Sequence, residues 1–119
     1  DMDLRERISQ RIGVLLKAEK IEPANVAILV PALDNLDLLR HHGELKIGNY
    51  LVTDSETRRR DALVVDSIRR FKGLESPVVL LIVTGEIEKY QELLYTGISR
   101  AQVRLELFGP AHILKRLRK

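Results

Sequence analysis

Three short, largely apolar runs punctuate the chain: Val26-Ala27-Ile28-Leu29-Val30, Ala62 to Ser67, and Pro77 to Val83. Runs of this length without polar alternation predict strands buried on both faces, and hence a mainly parallel sheet with helices on either side. A fourth strand is predicted over Val103 to Phe108, where Arg104 and Glu106 alternate with apolar residues and imply a more exposed face. Ahead of the first run, Leu4, Ile8, Ile12, Leu15 and Leu16 fall on one stripe and predict an amphipathic helix from Asp3 to about Lys20. Asp3 is placed to cap it, Glu6 stands where a capping-box partner belongs, and Glu22-Pro23 ends it. A short helix is predicted near Asp34 to His42, with Leu33, Leu36 and Leu39 inward and Gly43 as its stop. Leu45 to Thr53 reads as a strand bent at Gly48, and Thr53 to Arg60 as a polar loop. Thr84-Gly85-Glu86 turns into a helix running to about Ala101, with Glu86 and Glu88 in its first turn and Ile87, Tyr90, Leu94 and Ile98 inward. Gly109-Pro110 breaks the last strand, and the tail forms a final helical turn. The sum is one α/β domain over residues 1–119, with a mainly parallel sheet of about five strands flanked by helices.

Composition narrows the possibilities only a little. With 45% hydrophobic and 31% charged residues, 119 residues suffice for a modest core. No apolar run approaches the roughly 20 residues of a membrane-spanning helix, so no membrane partner is expected. The absence of cysteine excludes disulfide scaffolds and cysteine-based zinc sites, and a cytoplasmic setting is expected. A net charge of +3 does not identify a nucleic-acid binder, but its distribution is uneven. Arg58-Arg59-Arg60, then Arg69, Arg70 and Lys72, then Lys115, Arg116, Arg118 and Lys119 concentrate positive charge; such clusters either neutralise phosphates or form a solvated basic surface. Aromatic residues make up only 4%, so no stacking platform for single strands is written into the chain.

The chemistry-bearing stretch is Val65-Asp66-Ser67-Ile68-Arg69-Arg70-Phe71-Lys72-Gly73-Leu74-Glu75-Ser76-Pro77. It leaves the carboxyl end of a predicted parallel strand, the edge where open α/β sheets bind ligands. Gly73 permits a backbone geometry or a close approach that a side chain would block. Lys72 and Arg69 can reach phosphates, and Glu75 can accept hydrogen bonds from a ribose; taken alone, the same residues also suit a solvated strand-to-strand connection. Downstream, Leu94-Tyr95-Thr96-Gly97-Ile98-Ser99-Arg100-Ala101 places Arg100 nearly opposite the inward stripe, projecting out of the domain. His41-His42 have no ligand-spaced partner, Ser99 has no His and Asp arrangement around it, and Asp34, Asp37 and Asp54 read as caps and loop residues.

The two stretches, in this order and followed at once by a final strand, resemble motifs V and VI of the superfamily 1 helicases of the UvrD/Rep/PcrA group. In those helicases they appear as Thr-x-His-x-x-Lys-Gly-Leu-Glu-x-Pro and Tyr-Val-x-x-Thr-Arg-Ala. The resemblance is tight over Val65 to Phe108 and implies the C-terminal RecA-like (P-loop NTPase-type) motor domain of an ATP-dependent DNA helicase. It implies that Arg100 is an arginine finger for the γ-phosphate of ATP. Glu75, with Lys72 and Gly73, would contact the nucleotide, Glu75 through its sugar; Ser67, Arg69 and Arg70 would face single-stranded DNA. Arg69 stands where that group has His, and Ser76 replaces the usual aromatic before Pro77. Val65-Asp66-Ser67 is also similar to the Upf1-like branch, so an RNA-directed motor stays open. So do a nucleic-acid-binding or interaction module without ATPase activity, and a plain phosphate-binding α/β domain. No Gly-x-x-x-x-Gly-Lys-Ser/Thr occurs, nor an apolar strand ending in Asp-Glu. In the family both belong to an upstream RecA-like domain, which would hold most of the ATP and Mg2+. The chain is therefore expected to be a piece of a longer protein and not to hydrolyse ATP alone.

Overall fold

The computed structural model describes residues 3–84 and 91–117. Its centre is β1 (Val26–Val30), buried at every position. On one side of it lie β5 (Ala62–Ser67) and then β4 (Leu51–Thr53); on the other lie β6 (Ser76–Ile82) and then β7 (Ala101–Phe108). All five strands are parallel, with Ile28 level with Val65 on one side and with Leu80 on the other. The buried runs thus form the three central strands, as their lack of alternation predicts.

The strict alternation along β1 sends Val26, Ile28 and Val30 to one face and Ala27 and Leu29 to the other. The first face is covered by α1 (Leu4–Gly13), whose Ile8 and Ile12 are fully buried along with Leu15 beyond it. The second is covered by the connection from β5 to β6, by α2 (Gln91–Ile98) and by α3 (Ala111–Leu117), which contribute Ile68, Phe71, Leu94 and Ile113. Asp3 caps α1 by accepting the Glu6 N–H at 2.8 Å.

The helix predicted to run to Lys20 changes character after Gly13. Val14–Ala18 forms a π-turn, in which the Glu19 N–H reaches back five residues to the Val14 carbonyl. Glu19 there meets Arg104 at 2.8 Å and Arg11 at 3.7 Å, while Arg11 makes a two-pronged 2.7 Å pair with Glu106. That charge-assisted fork holds the Arg11 proton more tightly than usual and fastens α1 to edge strand β7. Arg104 and Glu106 thus mark a face covered by ion pairs with Glu19 and with Arg11 of α1, while Val103 is exposed.

The helix predicted near Asp34 to His42 is a 3-10 helix over Leu33–Leu39. Leu33, Leu36 and Leu39 are spaced by three, the period of that tighter coil, which lines them up in one row. Leu39 is buried and Leu36 partly so, but Leu33 at the free end is half exposed, against the expectation that all three point inward. Arg40–His42 are not helical. β2 (Arg40–His41) and β3 (Glu44–Leu45) form a hairpin whose two turn residues, His42 and Gly43, both have positive φ, as a two-residue primed turn requires. The strand predicted over Leu45 to Thr53 is divided between β3 and β4 by a turn at Gly48, where φ is +55°. The helix predicted from Glu86 to Ala101 is seen as α2; Glu86, Ile87, Glu88 and Tyr90 lie outside the described residues.

At the carboxyl end of β7, the Val83 N–H donates to the Phe108 carbonyl at 2.7 Å, and a Cβ at Gly109 would overlap the Val83 carbonyl oxygen. Replacing Gly109→Ala should force backbone apart at this junction and destabilise the protein by about 1–3 kcal/mol. Urea unfolding of the two forms measures it, and equal midpoints would show that the junction yields freely.

Candidate nucleotide and nucleic-acid contacts

The connection from β5 to β6 begins at the carboxyl edge of the sheet and ends at the opposite edge. Ile68, Phe71 and Leu74 recur at every third residue and pack into the core on the second face. Three successive turns make this possible: the Phe71 N–H donates to the Ser67 carbonyl, Lys72 to Arg69, and Leu74 to Phe71. With those three side chains inward, Arg69, Lys72, Gly73 and Glu75 are left exposed. Gly73 has φ +85° and nothing within 4 Å of where a Cβ would stand. Its need is therefore conformational, a left-handed turn, and not a close approach.

The predicted site residues consequently divide between two places. Ser67, Arg69 and Arg70 stand at the carboxyl edge of β5. Glu75 precedes the start of β6 and Arg100 the start of β7, at the other edge of the sheet. The stretch leaves the carboxyl edge as expected, and the connection then has to descend to reach β6.

Arg100 ends the turn after α2 and does not project freely. Its Nε donates to the Thr96 carbonyl at 3.2 Å, one terminal nitrogen to the Leu74 carbonyl at 3.3 Å, and the other to Ser99 Oγ at 3.0 Å. Its own carbonyl accepts the Ser76 N–H at 2.9 Å. Arg100 thus ties the two motif-bearing stretches together through both its side chain and its backbone. The reason it folds back is that α2 stops at Ile98, leaving the Thr96 carbonyl among the unpaired acceptors of the last turn. Ser99 donates its hydroxyl to the Thr96 carbonyl at 2.8 Å and accepts from Arg100, so it positions the guanidinium. Every acceptor around Arg100 is neutral, and no carboxylate lies within ion-pair distance among the described residues.

Arg70 has the opposite surroundings. It lies 3.1 Å from Glu56, 3.5 Å from Asp66 and 3.7 Å from Asp54, and these carboxylates, Asp66 foremost, hold its proton more tightly than usual. Three acids leave it little attraction for a phosphate, so its expected nucleic-acid contact is not what this geometry favours. Ser67 stands at the start of the same turn. Its side chain is buried and its hydroxyl accepts the Arg70 N–H at 3.3 Å, capping the turn from beneath. Arg69 and Lys72 are exposed. The Arg58-Arg59-Arg60 cluster is locally engaged: Arg58 lies over the Phe71 ring, Arg59 pairs with Asp61 and Arg60 with Glu22.

Ser76, in the position of the usual aromatic, is fully buried, with its hydroxyl 2.8 Å from the Asn25 carbonyl and 3.1 Å from that of Val78. Gly97 lets α2 lie close on the sheet, since a Cβ there would come within 2.9 Å of Ile68 Cδ1. Sequence reasoning gave no role to Asp66 and Ser55, which form a buried polar pair beside a cleft of about 390 Å³ lined by Leu36, Leu45, Val52, Asp54, Thr57 and Arg70, among others. The available signal was a carboxylate inside a strand buried on both faces, which needs a partner. His41 and His42 pack edge to face at the hairpin tip, and no group of three or more His, Cys, Asp or Glu able to hold a metal occurs among the described residues.

Residues 62–107, from the first residue of β5 almost to the end of β7, match the family model of the UvrD-like helicase C-terminal domain. Among solved structures, the chain is similar to the C-terminal domain of a possible DNA helicase from Lactobacillus plantarum WCFS1. The identity is 24% and the TM-score 0.67, over 90% of this chain and 67% of that one. No curated protein matches. The class of fold is thus an α/β domain with a five-stranded parallel sheet flanked by helices, as in that helicase domain. The family match lies on the segment that carries both motif-bearing stretches, and the structural likeness is one of fold.

The loop between β4 and β5 carries a pH-sensitive feature. Asp54 accepts from Thr57 Oγ1 and from the Thr57 and Glu56 N–H groups, each at 2.9 Å. The Thr57 hydroxyl is the largest cause holding its carboxyl below the usual 3.8. A lowered carboxylate stabilises the fold above the ordinary range, and that contribution is lost as pH falls through the lowered value. Thr57→Val should return the Asp54 carboxyl toward its ordinary value in an NMR titration; an unmoved titration would show that the hydroxyl does not hold this loop.

Proposed function

We propose that the chain is the second motor domain of an ATP-dependent DNA helicase or translocase, acting in the cytoplasm. In this reading it completes with Arg100 a nucleotide site begun by an upstream RecA-like domain of the same protein, and touches single-stranded DNA at the exposed turn after β5. The observation that carries the reading is the Arg100 guanidinium: it is held in place by three neutral oxygens, with no carboxylate to neutralise it among the described residues. Phosphate oxygens are stronger acceptors than the Leu74 carbonyl, so the fork can exchange one for the other as negative charge approaches. Glu75, exposed one residue beyond Leu74, can accept hydroxyl hydrogens from a ribose, and the Lys72-Gly73 turn presents it.

ATP would supply the phosphoanhydride whose hydrolysis drives translocation, and Mg2+ would be held chiefly by the upstream domain. The part left to this chain is positional and electrostatic: Arg100 would stabilise charge on the transferring phosphoryl oxygens. Its link to Leu74 and Ser76 would pass the resulting displacement into the β5–β6 connection, and so toward Arg69 at the other edge.

The test is ATP hydrolysis by the full-length protein, with and without single-stranded DNA. Arg100→Ala should lower turnover by about a thousandfold or more while DNA binding persists. Normal turnover in the variant would dismiss the finger. No turnover in the wild type would turn the reading to a nucleic-acid-binding module, and stimulation by RNA at least as strong as by DNA would turn it to an RNA-directed motor.

A further inference from the structure

Asp66 is a charged residue inside β5 with 1% of its surface exposed. Its Oδ2 accepts the Ser55 N–H at 2.9 Å and the Ser55 hydroxyl at 2.7 Å, and its Oδ1 accepts the Ser67 N–H at 2.8 Å. Arg70 Nε approaches the same Oδ1 at 3.5 Å, and a terminal nitrogen of the same guanidinium reaches Glu56 and Asp54. These contacts join two separate segments: the 54–57 loop after β4 and the 67–70 turn after β5. Ser55 adds a contact of its own, its hydroxyl lying 3.2 Å from the Arg70 carbonyl. Arg69 lies within the tied turn and is exposed.

A buried carboxylate is costly unless its lone pairs are filled and its charge is countered, and here both conditions are met by groups on the two segments. Removing it would leave the Ser55 and Ser67 N–H groups seeking partners and would free Arg70 from its strongest counter-charge. The turn would then have several accessible conformations.

We propose that Asp66 is a positioning residue: it clamps the turn after β5 to the loop after β4 and so fixes the backbone that presents Arg69 to a single-stranded nucleic acid, with Arg70 serving as the clamp's counter-ion and not as a phosphate ligand. The inference rests on the reading of this turn as a nucleic-acid contact. It assigns different work to two adjacent arginines that sequence treats alike. Arg69 contributes charge to the interface; Arg70 contributes order to the turn.

The test uses the full-length protein and a single-stranded oligothymidylate, with affinity measured over a series of salt concentrations well below the unfolding temperature. Each lost phosphate contact lowers the slope of log affinity against log salt by about 0.7 for a single strand. Arg69→Gln should lower the slope by that amount. Asp66→Asn and Arg70→Gln should weaken binding by about fivefold to tenfold with the slope unchanged. If Arg70→Gln lowers the slope as Arg69→Gln does, Arg70 is a phosphate ligand and the inference is overturned. Wild-type binding by Asp66→Asn overturns it as well. Amide hydrogen exchange decides the clamp independently of any nucleic acid. Asp66→Asn should speed exchange at Ser55 and Ser67 while leaving β1 protected; unchanged exchange at those two amides removes the clamp, and loss of β1 protection shows a merely structural role. Should Arg69→Gln leave the slope unchanged, the nucleic-acid reading of the turn fails, while exchange at Ser55 and Ser67 still judges the clamp.

Discussion

The arrangement depends on one geometric constraint. β5 and β6 are parallel and flank β1, so the chain leaving Ser67 has to return to the other end of the sheet before β6 starts at Ser76. At strand spacings, that return is about 20 Å along the sheet and about 10 Å across it. The usual device is a helix of a dozen or more residues, and this connection has no room for one. It descends through three tight turns, pressing Ile68, Phe71 and Leu74 onto the sheet. The exposed set of Arg69, Lys72, Gly73 and Glu75 is the complement of that buried row.

So short a strut has mechanical consequences. One end is tied at the carboxyl edge by the Ser67 and Asp66 hydrogen bonds; the other is tied by Arg100 to the turn that follows α2. Between them the packed side chains leave few ways for one end to move alone, because a close-packed interior transmits displacement instead of absorbing it. In the motor reading this links the nucleotide end to the nucleic-acid end through a single short segment. The close seating of α2 at Gly97 against Ile68 adds a second route for the same coupling.

Much of this was legible from residues alone. The apolar runs around Ile28, Leu63 and Leu80 placed three central strands because apolar residues follow one another there without polar alternation, and the motif spacing located the connection and Arg100. What escaped had physical reasons. The row Leu33, Leu36, Leu39 was read at the α period, although spacing of three suits the tighter coil equally well. Gly43 reads as a helix stop because its left-handed φ suits the end of a helix as well as it suits the second position of a two-residue turn. The direction of Arg100 was inferred from helical phase, which ceased to apply once α2 ended at Ile98. The division of the site between two edges could not be read locally, since it follows from strand order, and strand order is set by contacts between residues far apart in sequence.

Arg70 and Arg100 show why residue type does not by itself assign a role. Both are partly exposed and both lie in motif-bearing stretches. A guanidinium surrounded by three carboxylates is already in its best electrostatic environment; leaving it for a phosphate would expose those acids to one another and to the incoming charge. A guanidinium surrounded by carbonyls and a hydroxyl gives up only neutral acceptors on leaving, and an anion would add a counter-charge that they do not supply. The first arginine is therefore suited to hold a structure together and the second to respond to a ligand. That difference lies in the partners supplied by Asp54, Glu56, Asp66, Thr96 and Leu74, which the fold gathers from distant points of the chain.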